Sequence, residues 1–429
     1  MHILWLKTEL LHPVDKGGKI RTYNMLKELK RSHRVTYLTL DDGMATPSER
    51  ESALEYCHEL VCVPHQSREK FTTGFYQELL TNLASSLPYA VKKYTSAEFR
   101  QEIVQRATEN VDLVVCDFLA PAANVPSQLN CPVVLFQHNV EAMIWRRHYE
   151  VQQNPIKKMY LFGQWLKMRA FERKMCRQFD AIVAVSEEDR DRMREEYAVK
   201  SVFEVPTGVD TSFFRPSNRE ERKAHNLVFT GSMDWLPNED AITYFTEQIL
   251  PRVKQAIPDV TLTVVGRNPY PSLLELAKRD PSVVVTGRVD DVRPYMERAA
   301  AYVVPLRIGG GTRLKIYEAM AMEQAIVSTT IGAEGLPVMH GAELLLADTE
   351  ESFAEAVVNV LKNPTLAKSL GDCAAQTVRQ NFGWEKVAER FAGICEAALA
   401  AAHEKKSRQI RSLNSGASAT SDRPLAETR

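Results

Sequence analysis

The chain has 429 residues, with 54 Lys and Arg against 55 Asp and Glu, a formal charge of −1 at pH 7. It is too long for one average domain and too evenly charged for a dedicated nucleic-acid binder, so two globular domains that take no nucleic acid are expected. With 44% hydrophobic and 25% charged residues the composition is that of an ordinary soluble protein, which excludes a wholly disordered chain.

The chain opens MHILWLKTELL, a short apolar run that reads as a buried strand rather than a leader peptide. Further strand-like runs follow near Arg34 to Leu40, Asp112 to Cys116, Val133 to Phe136, Ala181 to Ala184 and Val202 to Val205, with helical patterns between them. From Val205, VPTGVDTSFFRPSNREERKAHN has no sustained period and is punctuated by Pro206, Gly208 and Pro216, as a domain boundary would be. The alternation then repeats: LVFTG, VTLTVVG, VVVTG, AYVVPL, AIVSTT and ELLLAD begin at Leu227, Val260, Val283, Ala301, Ala325 and Glu343, and helices are expected from Glu239 and Thr312. WEKVAERFAGICEAALAAA from Trp384 is an amphipathic helix that must dock, and the small polar residues after it read as a flexible tail. The predicted architecture is α/β, two parallel-sheet domains over 1–206 and 207–383, a C-terminal helix over 384–403 and a tail over 404–429.

Seven scattered cysteines without CxxC spacing read as reduced core thiols in a cytoplasmic protein and argue against a structural zinc site. The longest apolar runs, such as AAAYVVPL from Ala299, fall short of the ~20 residues of a spanning helix. Gly309 and Gly311 form a G-x-G, but Leu314 stands where the dinucleotide fingerprint needs glycine. GGKIRT at Gly17 fails as a P-loop, with Pro13 in the first-glycine position and Ile20 in the hydroxyl position. Asp189 and Asp191 form a D-x-D within a charged helical run, and His138 and Glu141 lack further ligands nearby, so no metal site is assigned.

The segment VVPLRIGGGTRLKIYEAMA from Val303 carries the most chemistry: a strand runs into three glycines and then a helix. The bare amides of Gly310, Gly311, Thr312 and Leu314 and the positive helix end would face one space, where Arg313 adds a forked pair of donors and Lys315 a point charge, enough for a diphosphate. Glu318, one and a half turns on, can accept from the hydroxyls of a ribose, so the ligand expected is a nucleotide. A Gly-rich turn with surface charges is the plain alternative.

Several ordered pieces together resemble a family 4 glycosyltransferase of the GT-B fold: GGKIRTYNML, QHNVE, VAVSEEDRDRM, VPTGVDTSFFRP, FTGSMDWLPNEDA, GRVDDVRPYM and GGGTRLKIYEAMA. The resemblance covers about residues 1 to 400. It implies two Rossmann-like domains facing a cleft, the last helix packing back on the first domain, and a nucleoside-diphosphate-sugar donor, UDP- or GDP-linked, held mainly by the second. By that resemblance Gly17 and Gly18 let the backbone approach the diphosphate, His138 lies near the donor sugar, Gly231, Arg288 and Val289 lie on the nucleotide, and Glu318 takes the ribose. Helix entry for the glycines and a buried strand-end role for His138 remain as alternatives. Two departures stand out: Gly310 replaces the first glutamate of the family's pair, and GSMDWLPN lacks the family's Arg and Lys, which shifts phosphate charge onto Arg313 and Lys315. The resemblance implies retention, with the leaving phosphate taking the acceptor proton, no cofactor and no metal; His138, Arg313 and Lys315 are the expected catalytic residues.

A glycan or polyprenyl-linked acceptor is expected on the first domain. Residues 156–178 carry seven basic side chains against one acidic, Glu172, so this segment is either a peripheral contact with the inner face of the membrane or a domain helix whose apolar side is core. Cell-surface or exopolysaccharide assembly is the setting the resemblance suggests. A sugar-nucleotide 2-epimerase and a non-catalytic nucleotide-sugar-binding module are the other functions compatible with these residues.

Overall fold

The computed structural model describes residues 1–14, 17–66, 68, 72–217, 222–308 and 314–418, without the side chains of Val151 and 409–418. Two compact units divide the chain: Met1–Val205 together with the segment from Ala388 onward, and Pro206–Val387.

In the first unit seven strands form one parallel sheet: β1 (His2–Lys7), β2 (Arg34–Asp41), β3 (Glu59–Pro64), β4 (Leu113–Asp117), β5 (Val133–Phe136), β6 (Ala181–Ala184) and β7 (Val202–Glu204). Their spatial order is β3-β2-β1-β4-β5-β6-β7, and Ile3 of β1 lies opposite Val35 of β2 on one side and Leu113 of β4 on the other. Helices cover both faces, so the inner strands are buried throughout; Ile3, Leu4, Trp5 and Leu6 expose nothing, which is why they read as a continuous apolar run. Strand β3 is absent from the sequence reading. It is an edge strand, ELVCVP, in which only Val63 is fully buried, so neither a continuous apolar run nor a clean alternation marks it.

The second unit repeats the plan with β8 (Asn226–Thr230), β9 (Thr261–Val265), β10 (Val283–Val285), β11 (Ala301–Val304), β12 (Ile326–Ser328) and β13 (Leu345–Leu346), all parallel, in the order β10-β9-β8-β11-β12-β13. The strand order reverses beside β1 in the first sheet and beside β8 in the second. In open parallel sheets the crevice beyond the carboxyl ends of the strands at such a reversal is where ligands bind.

The final helix runs Trp384–Ser418. From Ala388 it belongs to the first unit, where buried Phe391 packs 5.6 Å from the Trp5 ring and 5.0 Å from that of Phe136, and Arg390 pairs with Glu204 at 2.6 Å. The helix passes residue 403, where the sequence reading ends it. Glu404, Lys405, Lys406 and Arg408 are good helix formers, and Arg408 reaches back one turn to Glu404 at 3.4 Å, so a polar segment continues the helix without needing a core. Residues 419–429 lie outside the described residues.

Candidate functional site

At the reversal in the first sheet, Lys7 ends β1 and Asp117 ends β4, and both side chains are buried. Asp117 Oδ2 accepts from Lys7 Nζ at 2.8 Å, Thr22 Oγ1 at 2.6 Å and Trp5 Nε1 at 3.1 Å, while Oδ1 meets His138 Nε2 at 2.7 Å. Burial alone would raise the Asp117 carboxyl, but Lys7 and His138 hold it well below the usual carboxylate range. Burial lowers the Lys7 ammonium and takes the His138 imidazole down to about 3, against the pull of Asp117. The histidine is therefore neutral at pH 7. With the ionised carboxylate on Nε2, the proton is assigned to that nitrogen and Nδ1 is left as an acceptor.

Phe118, next to Asp117, adopts a left-handed φ of 68°. Its ring stacks on the His138 imidazole, with centroids 3.8 Å apart and planes 17° apart, and Lys7 Nζ lies 4.3 Å from its centroid. A Cβ on Gly18 would fall 2.9 Å from Phe118 Cζ, so a bare position in the first turn of the helix Gly17–Leu29 makes room for this ring. The structure thus joins two parts of the sequence reading, Gly18 and His138, through a phenylalanine that the reading did not single out. Gly17 starts the same helix, consistent with the helix-entry alternative.

At the reversal in the second sheet, the loop after β8 begins with Gly231. A Cβ there would lie 2.8 Å from Asn238 Nδ2 and 2.9 Å from Lys315 Nζ, so the glycine lets both side chains come up against the backbone. Lys315, on the helix Leu314–Ala321, donates to Asn238 Oδ1 at 2.8 Å, and its ammonium sits 4.0 Å from the Phe229 ring centroid. Asn238 Nδ2 donates in turn to the Ser232 carbonyl at 2.8 Å, and Arg267 Nε reaches Ser232 Oγ at 3.0 Å. Gly266, before Arg267, passes so close that a Cβ would overlap the Gly231 carbonyl oxygen, which pins the loops after β8 and β9 together.

One turn along from Lys315, burial pushes the Glu318 carboxyl up to about 7, with Lys315 pulling the other way. No hydrogen bond within the described residues reaches that carboxyl. Leu314 is the half-buried first residue of the helix; Gly310, Gly311, Thr312 and Arg313 lie outside the described residues. Arg288 is exposed beyond β10, after the left-handed Gly287 (φ 71°), and Val289 packs on the second unit's core. Gly231 and Lys315 are thus brought together, with Glu318 on the helix that carries Lys315.

Asp117, Lys7, Thr22, Phe118 and Asn238 are among the members of these two clusters that sequence reading missed. The one available signal was position: Lys7 and Asp117 fall at the carboxyl ends of strands flanking a reversal, which only the strand order reveals.

Two Rossmann-like units of this kind in one chain define a GT-B α/β protein. Solved structures with the same fold include a glycosyltransferase from Rickettsia africae (TM-score 0.62, 14% identity, 93% of this chain and 98% of the other). Another is Alr3699/HepE of Anabaena in complex with UDP (TM-score 0.66, 13% identity, 92% and 100%). The family model described as Glycosyltransferase Family 4 matches residues 16–213 and the one described as Glycosyl transferases group 1 matches 224–363. These two matches, one after the other along the chain, make it a glycosyltransferase whose first unit is similar to family 4. A 44.6 kDa protein in the cps region of Klebsiella pneumoniae is 22% identical over 90% of this chain and 97% of its own length. The lipopolysaccharide core biosynthesis mannosyltransferase LpcC of Rhizobium leguminosarum bv. viciae is 24% identical over 57% of this chain and 72% of its own length.

Proposed function

We propose that this glycosyltransferase moves a hexosyl group from a UDP- or GDP-linked sugar to a hydroxyl of a glycan or polyprenyl-linked acceptor, with retention of configuration and without a metal. The observation that carries the reading is the second-unit cluster: a lysine steered by Asn238 over a bare glycine, one turn from a half-buried carboxyl with no hydrogen-bond partner among the described residues. A diphosphate suits the charge of the first and the vicinal hydroxyls of a ribose the acceptor capacity of the second. The complex of Alr3699/HepE with UDP supports that choice of ligand.

In this reading the bond from the anomeric carbon to the β-phosphate oxygen breaks, and the acceptor oxygen bonds to that carbon on the same face. The acceptor proton goes to the departing phosphate oxygen. Charge grows on the diphosphate, where Lys315, Arg313 and the helix end would stabilise it, a preorganised effect of several kcal/mol. Neutral His138, clamped by Asp117, presents Nδ1 as a hydrogen-bond acceptor toward a sugar hydroxyl without competing for the phosphates as a cation would. Incubation with UDP- and GDP-hexoses and glycan or polyprenyl-phosphate-sugar acceptors, followed by NMR of the product anomer, tests the reading. An α-linked product from an α-linked donor is expected, and inversion contradicts it.

The acceptor side takes in the helix Pro155–Gln178. Its single acidic residue, Glu172, is buried, so the exposed face is basic and apolar, with Ile156 and Met159 at 74% and 72% exposure. Lys167 Nζ joins this helix to the carbonyl of Asn82 at 2.7 Å, on the helix Thr73–Leu83, where Leu80 and Leu83 are also exposed. Apolar side chains among lysines and arginines suit an anionic lipid surface and a lipid-borne acceptor at the inner face of a membrane. No helix among the described residues is long and apolar enough to span one. Cell-surface glycan assembly is the setting, a choice supported by the similarity to LpcC, a mannosyltransferase of lipopolysaccharide core biosynthesis. Flotation with phosphatidylglycerol vesicles is expected for the wild type and not for a variant with Lys157, Lys158 and Arg169 changed to Ser; failure of the wild type to float rejects the membrane contact.

A further inference from the structure

Glu172 is the one acidic residue of the basic helix Pro155–Gln178, and it does not face solvent. Its carboxylate accepts four hydrogen bonds. Gln137 Nε2 and the Glu141 amide reach Oε1 at 2.7 and 2.8 Å; the Ala142 amide and the Tyr197 hydroxyl reach Oε2 at 2.9 and 2.7 Å. Three of these donors bracket one short loop, Gln137–Val140, which leads from β5 into the helix Glu141–Val151 and carries His138.

The local sequence supplies no cap of its own for that helix. Its N-cap is Val140, whose side chain cannot accept a hydrogen bond, so two of the orphaned first-turn amides are satisfied by a carboxylate about 30 residues further along the chain. Gln137 is held at the other end of the loop by its amide nitrogen, and its amide oxygen is buried with no partner among the described residues. A buried amide half unsatisfied at such a place is a cost that an apolar residue would avoid. The bond to Glu172 is what the glutamine provides in return. One carboxylate therefore closes the loop into a ring from both ends, while His138 within it is clamped to Asp117.

We propose that Glu172 is a positioning residue for the transfer: by tying Gln137 to the first turn of the following helix, it fixes the loop that delivers the His138 imidazole. This deepens the reading that places His138 beside the donor sugar and rests on it.

The test uses the full chain labelled with 15N-histidine. Glu172→Gln keeps the volume but turns one acceptor oxygen into a donor that opposes the amides. The imidazole nitrogen signals of His138 are expected to move and kcat for a donor the wild type turns over, UDP-glucose or GDP-mannose, to fall about tenfold or more, while calorimetric Kd for the matching diphosphate stays within twofold. Tyr197→Phe removes one hydrogen bond without touching the loop and is expected to leave signals and kcat in place, which separates positioning from general support of the fold. Should Glu172→Gln fail to fold, Gln137→Leu opens the same ring at its other end with the same expectations. A folded variant with unmoved His138 signals and unchanged kcat overturns the proposal. Failure of the wild type to bind UDP, GDP or ADP overturns the donor reading instead, and leaves the His138 signals to decide the role of Glu172.

Discussion

The two strand-order reversals occupy the same topological position and are filled in opposite ways. In the first sheet a buried carboxylate, Asp117, has four hydrogen-bond partners, and the neutral His138 beside it is stacked on Phe118. In the second, the Asn238 amide is one partner of Lys315, and Glu318 meets no hydrogen-bond partner among the described residues. The first cluster surrounds its carboxylate with donors and fixes a shape; the second leaves the hydrogen-bonding capacity of Glu318 unmet among the described residues. The same fold thus carries a preorganised carboxylate cluster in one unit and, in the other, the groups proposed to take a nucleotide, and substitutions in the two should fail differently.

The largest effect is expected in the first cluster and should appear as lost stability. Asp117→Ala strands the buried Lys7 ammonium and is expected to cost about 3–5 kcal/mol in a urea unfolding curve. A loss under about 1 kcal/mol would mean that the cluster is not the closed unit described. Lys315→Met should leave unfolding little changed and instead weaken nucleoside-diphosphate binding by about 10- to 100-fold, the size of a lost charge-assisted hydrogen bond. Stability loss in both variants would erase the contrast.

A smaller, pH-dependent effect belongs to Glu318. Its folded pKa, about 7, lies above the ordinary 4.5, so the stability this group contributes is fully present below about 4.5 and lost as pH rises through about 7. Ribose hydroxyls favour the ionised form, so nucleotide affinity should move the other way. It should rise with pH to a plateau above 7, by no more than tenfold per pH unit, and flatten in Glu318→Gln. Calorimetry from pH 5.5 to 8.5 reads this; an unchanged profile in the variant would assign the titration elsewhere. The least effect is expected at exposed Arg288, where Arg288→Ala should shift unfolding by under about 0.5 kcal/mol.

The sheets were legible because inner parallel strands buried on both faces spell out continuous runs such as ILWL and LVFT, and the helix Leu314–Ala321 because glycines and a strand precede it. Edge strand β3 was not, since partial burial leaves no pattern in ELVCVP. Lys315 was legible as a charge behind a glycine run, but not its partner Asn238, which stands 77 residues earlier in what reads as an ordinary helix start. Asp117 looks like a strand-ending turn residue until the sheet brings Lys7 and Thr22 to it from 110 and 95 residues away. Glu172 hid among seven basic neighbours because sequence shows the charge of a helix and not which way one side chain turns. Local pattern reports elements, whereas long-range pairing, which makes the sites, is set by strand order.

The central claim is that the second-unit cluster of Lys315 and Glu318 binds a nucleoside diphosphate. Calorimetric titration of the wild type, Lys315→Met and Glu318→Ala with UDP, GDP and ADP in EDTA tests it most directly. Metal-free binding of one diphosphate by the wild type, weakened by both substitutions while both variants unfold at the wild-type urea midpoint, is the predicted result. Absence of binding by any of the three, or binding that neither substitution changes, would contradict the account.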